Sequence, residues 1–296
     1  MSDLVLQGAF TALITPFNDD GSLDEEGLRR LVAFQLDEGI DGLVPCGTTG
    51  ESATMTPEER LKVIEIVATE VSGQVPVVAG TGTNNTAESI AFTQQVSTIK
   101  GVDAALVVTP YYNKPGQEEL FRHFSAIAEE GGLPVVLYNV PGRTAVSLST
   151  EIITRLSALE QIIAIKEATA DMAFASEIRN AVPKSFALLS GDDFTTFPLV
   201  TIGGQGCISV VSNLLPKTMS AMCAAGMSGE LAKGRELHLQ IQGLAKILFA
   251  KSNPIPVKAA ASLMGLCGPT LRAPLYAPDE AFLSTLKEVL HHYDLL

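Results

Sequence analysis

Cysteine and histidine are scarce in this chain, and neither forms a pattern that builds a site. The four cysteines, Cys46, Cys207, Cys223 and Cys267, are scattered without C-x-x-C spacing, which suggests neither a disulfide framework nor a thiolate zinc site. The four histidines, His123, His238, His291 and His292, supply no ligand pair at a strand end, so a metal-dependent hydrolase has little support and no metal is expected. Basic residues are in deficit, with 20 Lys and Arg against 33 Asp and Glu and a formal charge of -13. A surface of that sign repels phosphate backbones and anionic lipid, so nucleic-acid and membrane partners are not expected. Long apolar runs are missing too, and Met1 to Phe10 lacks a basic segment leading into an apolar one. The expectation is a soluble chain without a secretion signal, in a reducing cytoplasm.

What the chain does have is 296 residues at 46% hydrophobic content, enough to bury a large core as two ordinary domains or as one barrel with an appendage. Short apolar runs bounded by Gly, Pro, Asn or Asp recur at Ala9 to Pro16, Gly42 to Cys46, Val75 to Ala79, Ala104 to Thr109, Pro134 to Asn139, Ile162 to Lys166, Phe186 to Ser190 and Gly206 to Val211. Most are apolar at consecutive positions, as expected of parallel strands covered on both faces. Helical spacing fills the intervals: Leu28, Leu31, Val32 and Leu36 form one such stripe, and Leu61, Ile64 and Val67 follow the helix-starting Thr56-Pro57-Glu58-Glu59. Strand-helix alternation over about 230 residues predicts a (β/α)8 TIM barrel. A doubly wound nucleotide-binding sheet is the rival, but Gly80-Thr81-Gly82-Thr83-Asn84-Asn85 lacks the third glycine of a phosphate loop. After Leu215 only helical patterns remain, at Met219 to Phe249, Pro256 to Leu266 and Glu280 to Leu290. The expected division is a barrel over residues 1–228 and a C-terminal helical extension over 229–296.

In such a barrel, polar residues that close the strands form the active site. Lys166 is carried straight out of Ile162-Ile163-Ala164-Ile165, and burial there disfavours the charged ammonium. A neutral lysine attacks a ketone to form a Schiff base, an electron sink that needs no cofactor. Taken alone, a strand-terminal lysine more often snorkels to solvent or pairs with an acid such as Glu167. Gly47-Thr48-Thr49-Gly50-Glu51 offers backbone N–H groups and two hydroxyls to a carboxylate, or is an ordinary loop. Tyr138 can relay protons or hydrogen-bond the backbone. Arg143 can clasp a second carboxylate or be solvated. Pro110-Tyr111-Tyr112-Asn113-Lys114-Pro115 places two phenols after the fourth run, where rim packing or a subunit contact is the plainer reading.

Gly47 to Glu51, Tyr111 to Pro115, Tyr138 to Thr144 and Ile165 to Glu167 match, in order and spacing, the dihydrodipicolinate synthase family, and the similarity spans essentially the whole chain. The wider superfamily, N-acetylneuraminate lyase and other pyruvate aldolases, shares the Gly-Thr-Thr-Gly-Glu segment, the tyrosine and the lysine. Arg143 and the Tyr111-Tyr112 pair distinguish the narrower family. The resemblance implies that Lys166 forms an imine with pyruvate, that Thr48 and Thr49 engage its carboxylate and a proton relay, and that Tyr138 is proton donor and acceptor. It implies that Tyr112 reaches a neighbouring subunit's site, that Arg143 binds the carboxylate of L-aspartate 4-semialdehyde, and that backbone at Gly191 and Ile208 lines the pyruvate site. The implied product is 4-hydroxy-tetrahydrodipicolinate, on the route to diaminopimelate and lysine, and the implied assembly is a homotetramer of tight dimers.

The family also carries a lysine effector site, and Ser52, Ala53, Asn84, Glu88 and Tyr111 match part of it. Pro57 and Arg60 stand where strongly inhibited enzymes carry histidines, so weak or absent lysine inhibition is expected, Arg60 opposing a cationic ligand. Three other readings remain: a pyruvate aldolase for another aldehyde, a noncatalytic small-molecule sensor on the same barrel, and the metal-dependent hydrolase already weighed.

Overall fold

The computed structural model describes residues 4–296, so the first three positions of the N-terminal stretch, which the leader expectation covers, lie outside the described residues. The first half of the barrel runs β1 (Gly8–Ala12), α1 (Glu25–Asp37), β2 (Gly42–Val44), α2 (Pro57–Val71), β3 (Val78–Gly80), α3 (Thr86–Ser97), β4 (Ala104–Val108) and α4 (Gln117–Glu130). The second half runs β5 (Val135–Asn139), the short α5 (Pro141–Thr144), α6 (Thr150–Leu156), β6 (Ile162–Glu167), α7 (Met172–Ala181), β7 (Ala187–Ser190), α8 (Thr196–Thr201), β8 (Gly206–Ser209) and α9 (Pro216–Ser228). Three further helices follow: α10 (Leu231–Leu248), α11 (Ile255–Leu263) and α12 (Glu280–His292). No helix among the described residues is long and apolar enough to cross a membrane.

All the strand pairs are parallel, in the order β2-β1-β8-β7-β6-β5-β4-β3. The ring closes where Leu43 bridges Val77 and the Gly80 N–H donates to the Pro45 carbonyl at 2.9 Å. The expected (β/α)8 barrel with C-terminal helices is therefore present, and each of the eight apolar runs overlaps a strand. Several boundaries differ from expectation, two of them with a clear local cause or large shift. The first strand stops at Ala12 instead of Pro16, and the helical stretch from Met219 to Phe249 is two helices, because Gly229 turns left-handed (φ +81°) and caps α9.

Consecutive apolar residues separate into two cores. Val136 and Tyr138 of β5, Ala164 of β6, Leu189 of β7, Ile208 of β8 and Phe10 of β1 point into the barrel. Their neighbours Leu137, Ile165, Leu188 and Cys207 point outward to the helices, since successive strand side chains alternate faces. Local capping sets the helices around this cylinder. Thr56 and Glu59 form the reciprocal capping box at α2 with Pro57 in its first turn, and Asp24, Asn85, Ser149, Asp171 and Asp279 cap α1, α3, α6, α7 and α12.

His123 lies on the buried face of α4, 2.9 Å from the Thr86 hydroxyl through Nδ1. Burial pushes its pKa from 6.5 down to about 4. The folded value lies below the unfolded one, so this stability is complete above pH ~6.5 and is lost as the pH falls toward 4. The loss amounts to roughly 3 kcal/mol at its limit. Urea unfolding of His123→Gln should therefore show a smaller drop in midpoint between pH 7 and pH 4.5 than the parent protein. Equal drops would remove His123 from the acid response.

Candidate active site

Three strand ends meet around one amine. Lys166 is the inward residue after Ala164 on β6, paired in register with Tyr138 on β5 and Leu189 on β7. Its side chain is buried, with Nζ 4.2 Å from the centre of the Tyr138 ring. Glu167, the acid next in sequence, turns away: Asn139 Nδ2 donates to its carboxylate at 2.8 Å, and so does the Thr169 backbone N–H. Burial raises the Glu167 pKa, and those two donors oppose the rise. The plain pairing of Lys166 with Glu167 is thus absent.

The lysine's course depends on Gly191. A Cβ at that position would sit 2.7 Å from Ala168 Cβ and 3.0 Å from Lys166 Cε, so glycine lets the backbone just after β7 pass this close to Ala168 and the lysine arm. Ile208 completes this side from β8, fully buried in the inner core. Asp193 fixes the neighbouring backbone, accepting from Val210 N at 3.0 Å, Val211 N at 3.2 Å and the Ser209 hydroxyl. Burial pushes the Asp193 pKa up to about 6.

The turn after β2 brings the hydroxyls. It is entered and left through left-handed residues, Cys46 at φ +57° and Glu51 at φ +56°, and the Thr15 hydroxyl holds the Gly50 carbonyl at 2.7 Å. Thr48 is half-buried and Thr49 buried. The nearby Cys46 thiol is no rival nucleophile, because burial pushes its pKa up to about 12. A residue that sequence reasoning passed over joins here. Asn253, between α10 and α11, donates through Nδ2 to Thr49 Oγ1 at 2.9 Å, and its carbonyl accepts from Arg143 Nη2 at 3.3 Å. Nothing in Lys251-Ser252-Asn253-Pro254 signals that role, since its partners lie 204 and 110 residues away.

A cavity of about 290 Å³ opens beside these groups. It is lined by Thr48, Arg143 and Thr144, together with Ser52, Ala53, Arg60, Thr83 and Tyr111. Part of the expected effector set therefore shares one space with Thr48 and Arg143. Asn84 holds the Tyr111 carbonyl at 3.1 Å, whereas Glu88 is exposed on the first turn of α3. Arg60 donates to the Gly80 carbonyl at 2.9 Å and stacks 4.0 Å over Phe92. Tyr112, like Glu88, does not line this cavity. It is 90% exposed at φ +72°, on a loop whose Asn113 is tied to the Asn84 carbonyl at 2.9 Å.

A buried amine against a phenol face can form and turn over an imine with a small keto acid, and the cavity lined by Thr48 and Arg143 offers a hydroxyl and a guanidinium to a carboxylate. Comparisons with known proteins place the chain in one family. The model of the dihydrodipicolinate synthetase family matches residues 5–293. The 4-hydroxy-tetrahydrodipicolinate synthase of Geobacter sp. (strain M21) is 48% identical over 292 residues, 99% of this chain and 100% of the relative. The dihydrodipicolinate synthase of Aquifex aeolicus superposes with a TM-score of 0.96 at 42% identity, covering 98% of this chain and 99% of that one. The chloride-inhibited enzyme of Acinetobacter baumannii, in complex with pyruvate, gives 0.97 at 40% identity, covering 99% and 100%.

Proposed function

The chain belongs to the dihydrodipicolinate synthetase family, and on that premise we infer that it condenses pyruvate with L-aspartate 4-semialdehyde to 4-hydroxy-tetrahydrodipicolinate, in diaminopimelate and lysine biosynthesis. One observation carries the mechanism: Lys166 is buried at the end of β6, its Nζ 4.2 Å from the Tyr138 ring.

In this reading Lys166 Nζ attacks the ketone carbon of pyruvate and water leaves, giving an imine. Loss of a methyl proton gives the enamine, which attacks the aldehyde of the second substrate. Tyr138 carries the protons that the new hydroxyl and the imine exchange. The substrate's own amine then displaces Lys166 by transimination, closing the ring and freeing the enzyme. Thr48 and Thr49 hold the pyruvate carboxylate, backbone at Gly191 and Ile208 lines that pocket, and Arg143 receives the carboxylate of the semialdehyde. The test is turnover of both substrates together, followed through a coupled dipicolinate reductase consuming NADPH. Turnover is expected; its absence with pyruvate still captured by borohydride would keep the imine and reject the semialdehyde as partner.

The exposed Tyr112 supports a shared site, with its phenol completing a relay through Thr48 and Tyr138 in a neighbouring subunit of a tetramer built from tight dimers. Mixing inactive Lys166→Ala subunits with Tyr112→Phe subunits, under conditions that exchange protomers, should restore about a quarter of the parent rate. Random pairing makes half the dimers hybrid, each with one intact site. A mixture no more active than its components would reject the shared site. The four free, buried cysteines support a cytoplasmic setting. Arg60, a fixed cation beside Ser52 and Ala53 in the cavity, supports weak lysine inhibition.

A further inference from the structure

Glu51 closes the Thr48-Thr49 turn, and its carboxylate disappears into the molecule. Its side chain is 1% exposed, and the Lys258 ammonium that meets it, on α11, is fully buried. The second Glu51 oxygen accepts from the Arg272 backbone N–H at 3.1 Å, and Lys258 Nζ also donates to the Thr270 carbonyl at 3.0 Å. Phe17 packs against both cations, 4.3 Å from Lys258 Nζ and 4.3 Å from the Arg272 guanidinium carbon. Arg272 in turn holds the Thr54 carbonyl at 2.9 Å and both oxygens of Glu59, so the stretch that follows the turn is tied down as well.

The approach to the same helix grips the turn a second time. Asn253, just before α11, reaches Thr49 at 2.9 Å, and Lys258 lies about one helical turn further on. The two contacts straddle Gly50. Glu51 is left-handed at φ +56°, a conformation that a non-glycine residue keeps only when its surroundings over-determine it. A buried ion pair is a weak source of stability, since well-packed apolar residues of similar volume serve as well. What an apolar pair does not supply is a carboxylate directed at once to an ammonium and a backbone N–H, which fixes where the turn's last residue sits.

We propose that Lys258 and Glu51 are positioning residues for the reaction: their buried pair holds Thr48 and Thr49 where the keto-acid carboxylate binds, making α11 part of the pyruvate pocket. The proposal rests on the reading of Thr48 and Thr49 as the carboxylate-binding pair. Neither residue touches substrate. Burial pulls the Lys258 pKa down and the Glu51 charge pulls it back up, so removal of one partner strands a buried charge.

Lys258→Met alone therefore tests folding more than function, and the decisive variant is the neutral double substitution Glu51→Gln with Lys258→Met. The expected result is a folded protein whose half-saturating pyruvate concentration, read both from steady-state rates and from borohydride capture, rises about tenfold, while half-saturation by the semialdehyde changes less than about twofold, a split between substrates that general loosening does not produce. A double variant that captures pyruvate at the parent concentration overturns the proposal, as does one that fails to fold, which assigns the pair to stability alone. Failure of the underlying reading is distinguishable, because there Thr49→Val alone, with Glu51 and Lys258 intact, is captured by borohydride at the parent pyruvate concentration.

Discussion

Lys166→Ala is expected to lose turnover by at least about 10⁴-fold, the scale on which removal of a nucleophile acts, and to lose borohydride capture of pyruvate entirely. The two losses have one cause. Without Nζ there is no imine to reduce and no electron sink for the methyl carbanion, and the Cys46 thiol at the start of the Thr48-Thr49 turn is held protonated by burial. Gly191 keeps the lysine arm on its path, so the alanine variant should retain its fold and its melting temperature within a few degrees, because a buried amine is removed without stranding a partner. The check is mass spectrometry of the peptide containing residue 166 after reduction with pyruvate present. Retained labelling in Lys166→Ala would place the imine on another residue and end the role of Lys166 as nucleophile.

Arg143→Ala is expected to divide the reaction at its second substrate. The guanidinium stands at the rim on α5, exposed and held by one bond to the Asn253 carbonyl, so its removal disturbs neither core. Loss of a charged clasp on a carboxylate costs about 2–5 kcal/mol, and kcat/KM for the semialdehyde should fall on the order of 10²–10³-fold. Capture of pyruvate by borohydride should stay within about twofold of the parent, because that step needs only the lysine and the turn. Arg143→Lys should recover only part of the loss, since an ammonium lacks the planar fork. Equal weakening of both substrates would move Arg143 from the clasp to a general role in shaping the mouth.

These outcomes depend on side chains that the sequence displays unequally. Lys166 is conspicuous because a charge interrupts an apolar run, and the glycine-threonine turn because its composition is so unlike a helix. Asn253 and Lys258 are not conspicuous. One sits in a polar linker between helices, the other among alanines in Lys258-Ala259-Ala260-Ala261, where a lysine reads as a solvated helix position. Their partners, Thr49 and Glu51, lie 204 and 207 residues earlier. Gly191 is a similar case: its need for glycine comes from Ala168 and Lys166, not from its own turn. The lone apparent pairing nearby in sequence, Lys166 with Glu167, is the one that does not form, because successive residues on a strand face opposite ways and Glu167 finds Asn139 and the Thr169 N–H instead.

Alternation of apolar runs with helical spacing determined the (β/α)8 architecture, since periodicity and chain punctuation are local properties that survive without coordinates. The same local patterning located the helix starts and the strand-end lysine, while residue order and spacing, through resemblance to a known family, carried the chemistry. Only the tertiary structure decided which apolar residues face the barrel and which face the helices, where the barrel closes, that Asn253 and Lys258 hold the Thr48-Thr49 turn, and that Tyr112 is exposed. The physical reason is that each of these is a meeting of groups far apart along the chain. A carboxylate and an ammonium separated by 207 residues leave no periodic trace in sequence, and acquire a common function only when the fold puts them in contact.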